Sequence, residues 1–359
     1  MTTSTPSTRP PAELAAPSTA DSTAAALRRS NRARSLWLLL SAAVLLGLMF
    51  ASVTIGSRDV GLADVWAALG GSAEGFDQGA VAKRIPRTLL AVVTGAALGV
   101  SGAVMQGVTR NPLADPGILG INRGAALAVV IGMAYVGLST ASAYIWLAIF
   151  GAAVTAVFVY LVGSLGQGGA TPLKLALAGA ATEAALASFV IAVVLPRADI
   201  GDAAQSWQIG GVGGGTWASL QQVAPFLVAG FLLSLISARA LNSLALGDDL
   251  AAGLGERVAL VRAVASLGAV VLCGAATAVT GPIAFVGLVV PHACRLLVGV
   301  DHRWLLPFSA IIGAALLTAS DVVGRIVARP AELEVGILTA LIGAPIFIVI
   351  VRRQKLQSL

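Results

Sequence analysis

Leu36 to Ile55 is a run of twenty residues without one charged side chain. A helix rises about 1.5 Å per residue, so about 20 apolar residues cross a hydrocarbon core of about 30 Å. Nine further predominantly apolar stretches follow, near 88–108, 118–137, 143–165, 172–195, 222–240, 259–279, 285–299, 304–326 and 335–351. Only 11% of the 359 residues are charged and 57% are apolar, against a charged share of about 25% in soluble domains. Such a chain cannot clothe a soluble surface. Disordered, collagen-like and disulfide-stapled classes are excluded as well. The expected fold is an all-α polytopic membrane protein with about ten transmembrane helices. An even count puts both termini on one side.

The net charge of +6 is then a statement about orientation, and no nucleic-acid partner is expected. With the N-terminus inside, the cytoplasmic segments hold Arg9, Arg28, Arg29, Arg32, Arg34, Arg110, Lys174, Arg239, Arg257, Arg262, Arg303, Arg352, Arg353 and Lys355. The other side holds Arg58, Lys83, Arg84, Arg87, Arg197, Arg325 and Arg329. The bias is about two to one for both termini inside. Residues 1–34, rich in Ser, Thr, Pro and Ala, read as a disordered cytoplasmic tail. Residues 35–351 read as the transmembrane domain and 352–359 as a cytoplasmic C-terminal tail. Arg28-Arg29 reads as a positive-inside anchor rather than an export signal.

Glycine is abundant, at 41 residues. Gly95-x-x-x-Gly99 and Gly120-x-x-x-Gly124 set small residues on one helix face, which in lipid allows close helix packing. An internal echo is also present. Arg110-Asn-Pro-Leu-Ala-Asp-Pro-Gly-Ile-Leu-Gly-Ile121 interrupts one apolar stretch, and Gly281-Pro-Ile-Ala-Phe-Val-Gly-Leu-Val-Val-Pro-His292 another. Each is followed by a similar helix, Leu175-Ala-Leu-Ala-Gly-Ala180 and Thr339-Ala-Leu-Ile-Gly-Ala344. Five spans separate the copies, so they run in opposite senses, as in transporters built from inverted repeats.

The largest inside loop, 241–258, contains Asp248, placed to cap a short helix, and Gly253 and Gly255, placed to end it. The unit would expose Leu244, Leu246 and Leu250. It is either an ordinary amphipathic loop or a docking knob for a cytoplasmic partner. On the other side, Pro86 fits the first turn of a helix, and Arg84 and Arg87 share one face. They are either snorkelling interfacial arginines or a site for acidic side chains of an outer partner. Few charges are read as intramembrane: Arg123, Lys174, Glu183, Arg295 and Asp321, of which Glu183 and Asp321 sit deepest. They form no obvious proton relay. Asp321 is expected to bond a neighbouring helix or pair with an Arg. No hydrolase motif and no Gly-x-x-x-x-Gly-Lys-[Ser/Thr] is present, so the chain reads as a non-enzyme that does not itself bind ATP in that way. Gly210 to Thr216 reads as a turn. Cys273 and Cys294 read as small buried hydrophobes, and His292 and His302 cannot make a multi-His metal site. No cofactor is expected.

Eight motifs occur in order: Arg84-Ile-Pro-Arg-Thr88, Ser101-Gly-Ala-Val-Met-Gln106, Asn111-Pro-Leu-Ala-Asp-Pro-Gly117, Trp207-Gln-Ile-Gly-Gly211, Leu244-Ala-Leu-Gly247, Phe285-Val-Gly-Leu-Val-Val-Pro-His292, Asp301-His-Arg303 and Thr339-Ala-Leu-Ile-Gly-Ala-Pro345. Over about residues 36–351 the chain resembles the FecCD/BtuC-type permeases of type II ABC importers, which carry iron–siderophores, haem and vitamin B12. The resemblance implies a BtuC-like fold of ten helices in a bacterial cytoplasmic (inner) membrane. It implies a second permease subunit, two cytoplasmic ATPase subunits and one extracytoplasmic substrate-binding protein.

By the same resemblance Leu244, Leu246, Gly247, Asp248, Leu250, Gly253 and Gly255 would couple to the ATPase. Arg84, Arg87 and Arg325 would receive acidic residues of the binding protein. The fifth and tenth helices would line the path through Leu175, Leu177, Gly179, Leu338, Leu341, Gly343 and Pro345. Glu334 stands where the family often has Pro. The reading is a permease that moves a ferric siderophore by alternating access, with haem or vitamin B12 as the alternative cargo. The competing class is an ion-coupled secondary transporter, which would need a buried carboxylate relay. A structural or enzymatic membrane protein would leave the 241–258 knob without a function.

Overall fold

The computed structural model describes residues 31–56, 60–71, 75–138, 140–165 and 171–357. Fourteen α-helices follow in order: α1 Asn31–Thr54, α2 Leu62–Leu69, α3 Phe76–Thr109, α4 Ile121–Ile131, α5 Ala141–Ser164, α6 Pro172–Val194, α7 Ala198–Ile209, α8 Trp217–Ile236, α9 Ala238–Leu244, α10 Asp248–Gly253, α11 Val258–Thr280, α12 Val286–Val298, α13 His302–Val327 and α14 Val335–Gln357. No strand occurs among the described residues. Seven helices (α1, α3, α5, α6, α8, α11 and α13) are long and apolar enough to cross a membrane. Three shorter apolar helices, Ile121–Val136, Val286–Val298 and Val335–Val349, bring the apolar helices among the described residues to ten, the number of spans expected.

Some boundaries differ from the sequence reading. The second span begins at Phe76, well before residue 88, and Pro86 lies inside it rather than at its first turn. Helix α1 starts at Asn31, so residues 31–34 are helical rather than tail; the rest of the proposed tail lies outside the described residues. Helix α14 runs on to Gln357, taking in most of 352–359. The sixth span starts at Trp217, because Thr216 and Ser219 form a reciprocal cap there.

The echo corresponds to two four-helix repeats, α3–α4–α5–α6 and α11–α12–α13–α14. The third helix of each packs on the first helix of the other, α5 on α11 and α13 on α3. The second helix of each also packs on the first of the other, α4 on α11 and α12 on α3. Glycine makes these contacts close. A Cβ at Gly95 or Gly99 would overlap the α13 carbonyls of Gly313 or Ser309, and one at Gly102 would overlap Gly287 of α12. The Gly95/Gly99 stripe therefore serves close packing, as read. Of the second pair, Gly124 packs on Gly151 and Thr155 of α5, but Gly120 is no helical residue. It is the left-handed N-cap of α4, with φ 70°.

In the second repeat the equivalent N-cap is Phe285, also left-handed at φ 68°. Gly120 approaches Gly179 and Thr182 of α6, while Phe285 lies on Gly343 of α14. The two interruptions of the sequence thus become two equivalent helix breaks, each set against the last helix of its own repeat.

Candidate functional site

At one end of the bundle, α8, α9, α10 and α11 follow one another with very short links. Gly247, at φ 111°, turns the chain between α9 and α10, and Gly255, at φ 89°, turns it into α11; both are backbone shapes that favour glycine. The amides of Gly255 and Glu256 close the C-terminus of α10 by donating to Ala252 O and Ala251 O, at 2.9 and 3.1 Å. Leu244 is 1% exposed, an anchor rather than part of the outer face expected of it. The outer face carries Leu246, Leu250 and Leu254, each about three-fifths exposed. Leu254 was missed because only the folded turn brings it beside Leu250.

Asp248 does not cap α10; Gly247 does. Instead the Asp248 carboxylate accepts from Arg262 Nη2 of α11 at 2.9 Å and lies 3.4 Å from Arg110 Nη2 at the end of α3. A second fastening comes from α9, where Asn242 Nδ2 donates to Asp301 Oδ1 at 2.7 Å and Asn242 Oδ1 accepts from the His302 amide at 2.9 Å. The Arg303 guanidinium above all, then the Asn242 amide, hold the Asp301 carboxyl well below the usual carboxylate range. The knob is thus tied to α3, α11 and α13, and Asp301-His-Arg303 is part of the tie.

The opposite end holds the three expected docking arginines, and two of them point inward. Arg84 is 7% exposed and donates to Val53 O and Thr54 O at 3.2 and 2.9 Å. Arg325 donates to Ser52 O, Ile55 O and Ser52 Oγ at 2.9, 3.1 and 2.6 Å, and pairs with Asp321 at 2.7 Å. Both arginines satisfy the carbonyls left open at the C-terminus of α1, where a cation also suits the helix dipole. Arg87, 14% exposed, links the buried Asp321 to the more exposed Glu332. Its guanidinium donates to Asp321 Oδ1 at 3.0 and 2.8 Å and to Glu332 Oε2 at 2.6 Å. Asp321 therefore pairs with arginines, one of the two roles expected of it. Glu334 lies close over Gly211, and burial raises its carboxyl above the ordinary value while Arg87 opposes the rise.

The expected path residues lie on α6 and α14, the last helix of each repeat. Gly179, Leu338 and Gly343 are buried against their own repeats, and Leu175 is half-buried. Leu177 and Leu341, 64% and 68% exposed, and Pro345 face away from the bundle. Helix α6 packs on α4 and α5, and α14 on α12 and α13, so the two sets of expected path residues are carried on separate repeats. On α6 the sequence reading passed over a salt bridge, Arg123 Nε to Glu183 Oε1 at 3.8 Å.

The FecCD transport family matches residues 44–353, both repeats and everything between. The chain belongs to the FecCD transport family. It is 43% identical over 331 residues to the ferric enterobactin transport system permease protein FepD of Escherichia coli (strain K12), covering 92% of this chain and 97% of that one. It is 41% identical over 280 residues to the hemin transport system permease protein HmuU of Yersinia pestis, covering 76% and 84%. Among solved structures it resembles a metal-chelate type ABC transporter in an inward-facing conformation, with TM-score 0.77, 28% identity, and 89% and 99% of the two chains covered.

Several motifs of this FecCD-family chain are internal fastenings. Ser101 Oγ donates to Ala269 O of α11 at 2.7 Å. Gln106 Nε2 donates to Gly287 O and Leu288 O at 3.1 and 3.3 Å, and its Oε1 accepts from Arg295. The Asp115 carboxylate caps the 3₁₀ turn Pro116–Leu119 through the Gly117 amide at 2.8 Å. Gly211 N donates to Thr280 O at 2.7 Å, and Gly336 N to Gly210 O at 2.9 Å. The Trp207–Gly211 motif thereby joins the facing ends of α11 and α14.

Proposed function

We propose that this chain is the membrane-spanning permease subunit of an ATP-binding cassette importer, and that its cargo is a ferric siderophore. The observation that carries the reading is the 241–258 knob. Three exposed leucines sit on a helical turn tied by Asp248 and Asn242 to α3, α11 and α13, the helices at the centre of the two repeats. A partner that moves the knob therefore moves the core of the fold.

The partner is a cytoplasmic ATPase, because no phosphate-binding loop is read in this chain and the apolar knob needs a cover. The described termini, Asn31 and Gln357, lie at the knob end, since Thr54 and Val335 lie at the Arg84 end. The arginine bias then sets knob and termini on the cytoplasmic side of the bacterial inner membrane. The exposed faces of α6 and α14 meet those of a second permease subunit around a shared path. Arg87 with its carboxylate partners offers the outer face to a substrate-binding protein. ATP bound differently to the outward- and inward-open states supplies the driving force.

The siderophore assignment draws on the enterobactin relative, and the hemin relative makes haem the alternative cargo. A carboxylate relay for ion coupling finds little support. Asp321 is committed to Arg87 and Arg325, and Glu183 is paired with Arg123.

Co-purification from detergent tests the coupling. The parent chain is expected to bring down a P-loop ATPase, and Leu246→Arg or Leu250→Arg to lose it while the permease remains monodisperse. An ATPase that stays bound to both variants would remove the knob from the interface.

A further inference from the structure

We propose that Arg123 and Glu183 form a charge station in the translocation path, where the Arg123 guanidinium takes the anionic oxygens of an iron chelate in exchange for Glu183. The inference rests on the importer reading and deepens it. Glu183 is the twelfth of the 23 residues of α6, halfway through the span. The pair is 41% and 45% exposed. A charged pair open to lipid at that depth is costly, so its open side belongs to a water-filled cavity. The exposed face of α6 that includes Leu177 runs beside it.

The position of Arg123 is itself a signal. It is the third residue of α4, within the N-terminal turn, and Gly120 offers no side-chain cap there. The helix dipole is positive at that end, so a cation there is misplaced unless an anion answers both. Glu183 answers at 3.8 Å, longer than a charge-assisted hydrogen bond. The nearby acid Asp115 is turned to the Gly117 amide.

The second repeat supplies a comparison within the molecule. Gly120 corresponds to Phe285 as left-handed N-cap, and Gly179 to Gly343 as the glycine packed near it. Counting from those points, Arg123 corresponds to Leu288 and Glu183 to Phe347. The same helix pair is built without charge in the second repeat, so the fold does not require the ion pair. A discontinuous helix whose N-terminus faces the path is how other transporters meet anionic cargo.

The test is uptake by the complete transporter, with its ATPase and binding protein, of two ferric chelates. A tris-catecholate complex is a trianion and a tris-hydroxamate complex is neutral. Arg123→Gln is expected to cut tris-catecholate uptake about tenfold, the value of one charge-assisted hydrogen bond. Tris-hydroxamate uptake should stay within about twofold, which also shows that the variant folds. Glu183→Gln, which frees the guanidinium, should lower the KM for the trianion. Should the tris-catecholate alone be carried, Arg123→Lys must restore most of what Arg123→Gln loses. Equal losses on both chelates, no loss on either, or no rescue by lysine overturns the station and leaves the importer reading standing. A parent complex that carries neither chelate overturns both the station and the siderophore cargo.

Discussion

Asp321 is the residue on which the Arg84 end turns. Its carboxylate is fully buried between Arg87 and Arg325, and Arg325 is 2% exposed. Removing one partner of a buried pair strands the others, at a cost of about 3–5 kcal/mol. Asp321→Asn is therefore expected to lower the thermal midpoint of the purified protein by several degrees. Glu332→Gln, at the exposed edge of the same cluster, should shift it little. Equal effects would mean that the buried pair does not hold the end together.

The sequence made these arginines legible as a group but not their direction. Nothing in Arg84-Ile-Pro-Arg87 says that the open carbonyls of α1 lie beside Arg84. Nor does it say that Glu332, remote in sequence, reaches Arg87. Leu244 was misread for a similar reason, since its burial depends on what α9 packs against.

Among the elements, α3 is the keystone, because it touches the first, second and third helices of the opposite repeat. Its glycine stripe admits no side chain. At Gly102 even a Cβ would overlap the Gly287 backbone, which cannot swing aside as a side-chain tip would. Overpacking of this kind costs about 1–3 kcal/mol or more. Gly102→Val is expected to reduce folded yield and thermal stability, whereas Gly79→Val, where a Cβ meets nothing within 4 Å, should not. Similar thermal midpoints for the two variants would contradict the packing described.

Small-residue spacing made this stripe readable in advance. The start of α3 was not, because Pro86 looked like a first-turn proline. The preceding turns are too polar for a hydropathy pattern to join them to the span. The short helices α2 and α7 were missed because they lie outside the apolar stretches altogether.

In the whole molecule, the ten spans and their inverted order were legible because lipid imposes a length and a periodicity on every crossing. The sequence could not show how the repeats interlock, each first helix holding the second and third of the other. On the proposed coupling, that interlock would carry motion of the 241–258 knob into both repeats. It also leaves Leu177 of α6 and Leu341 of α14 exposed. The most direct measurement is uptake by proteoliposomes holding the permease with its ATPase. ATP would be trapped inside, with binding protein and a radio-iron-labelled siderophore outside. Accumulation that requires internal ATP and is abolished by Leu250→Arg is the predicted result. Accumulation driven by a proton or sodium gradient without ATP, or undiminished in the variant, would contradict it.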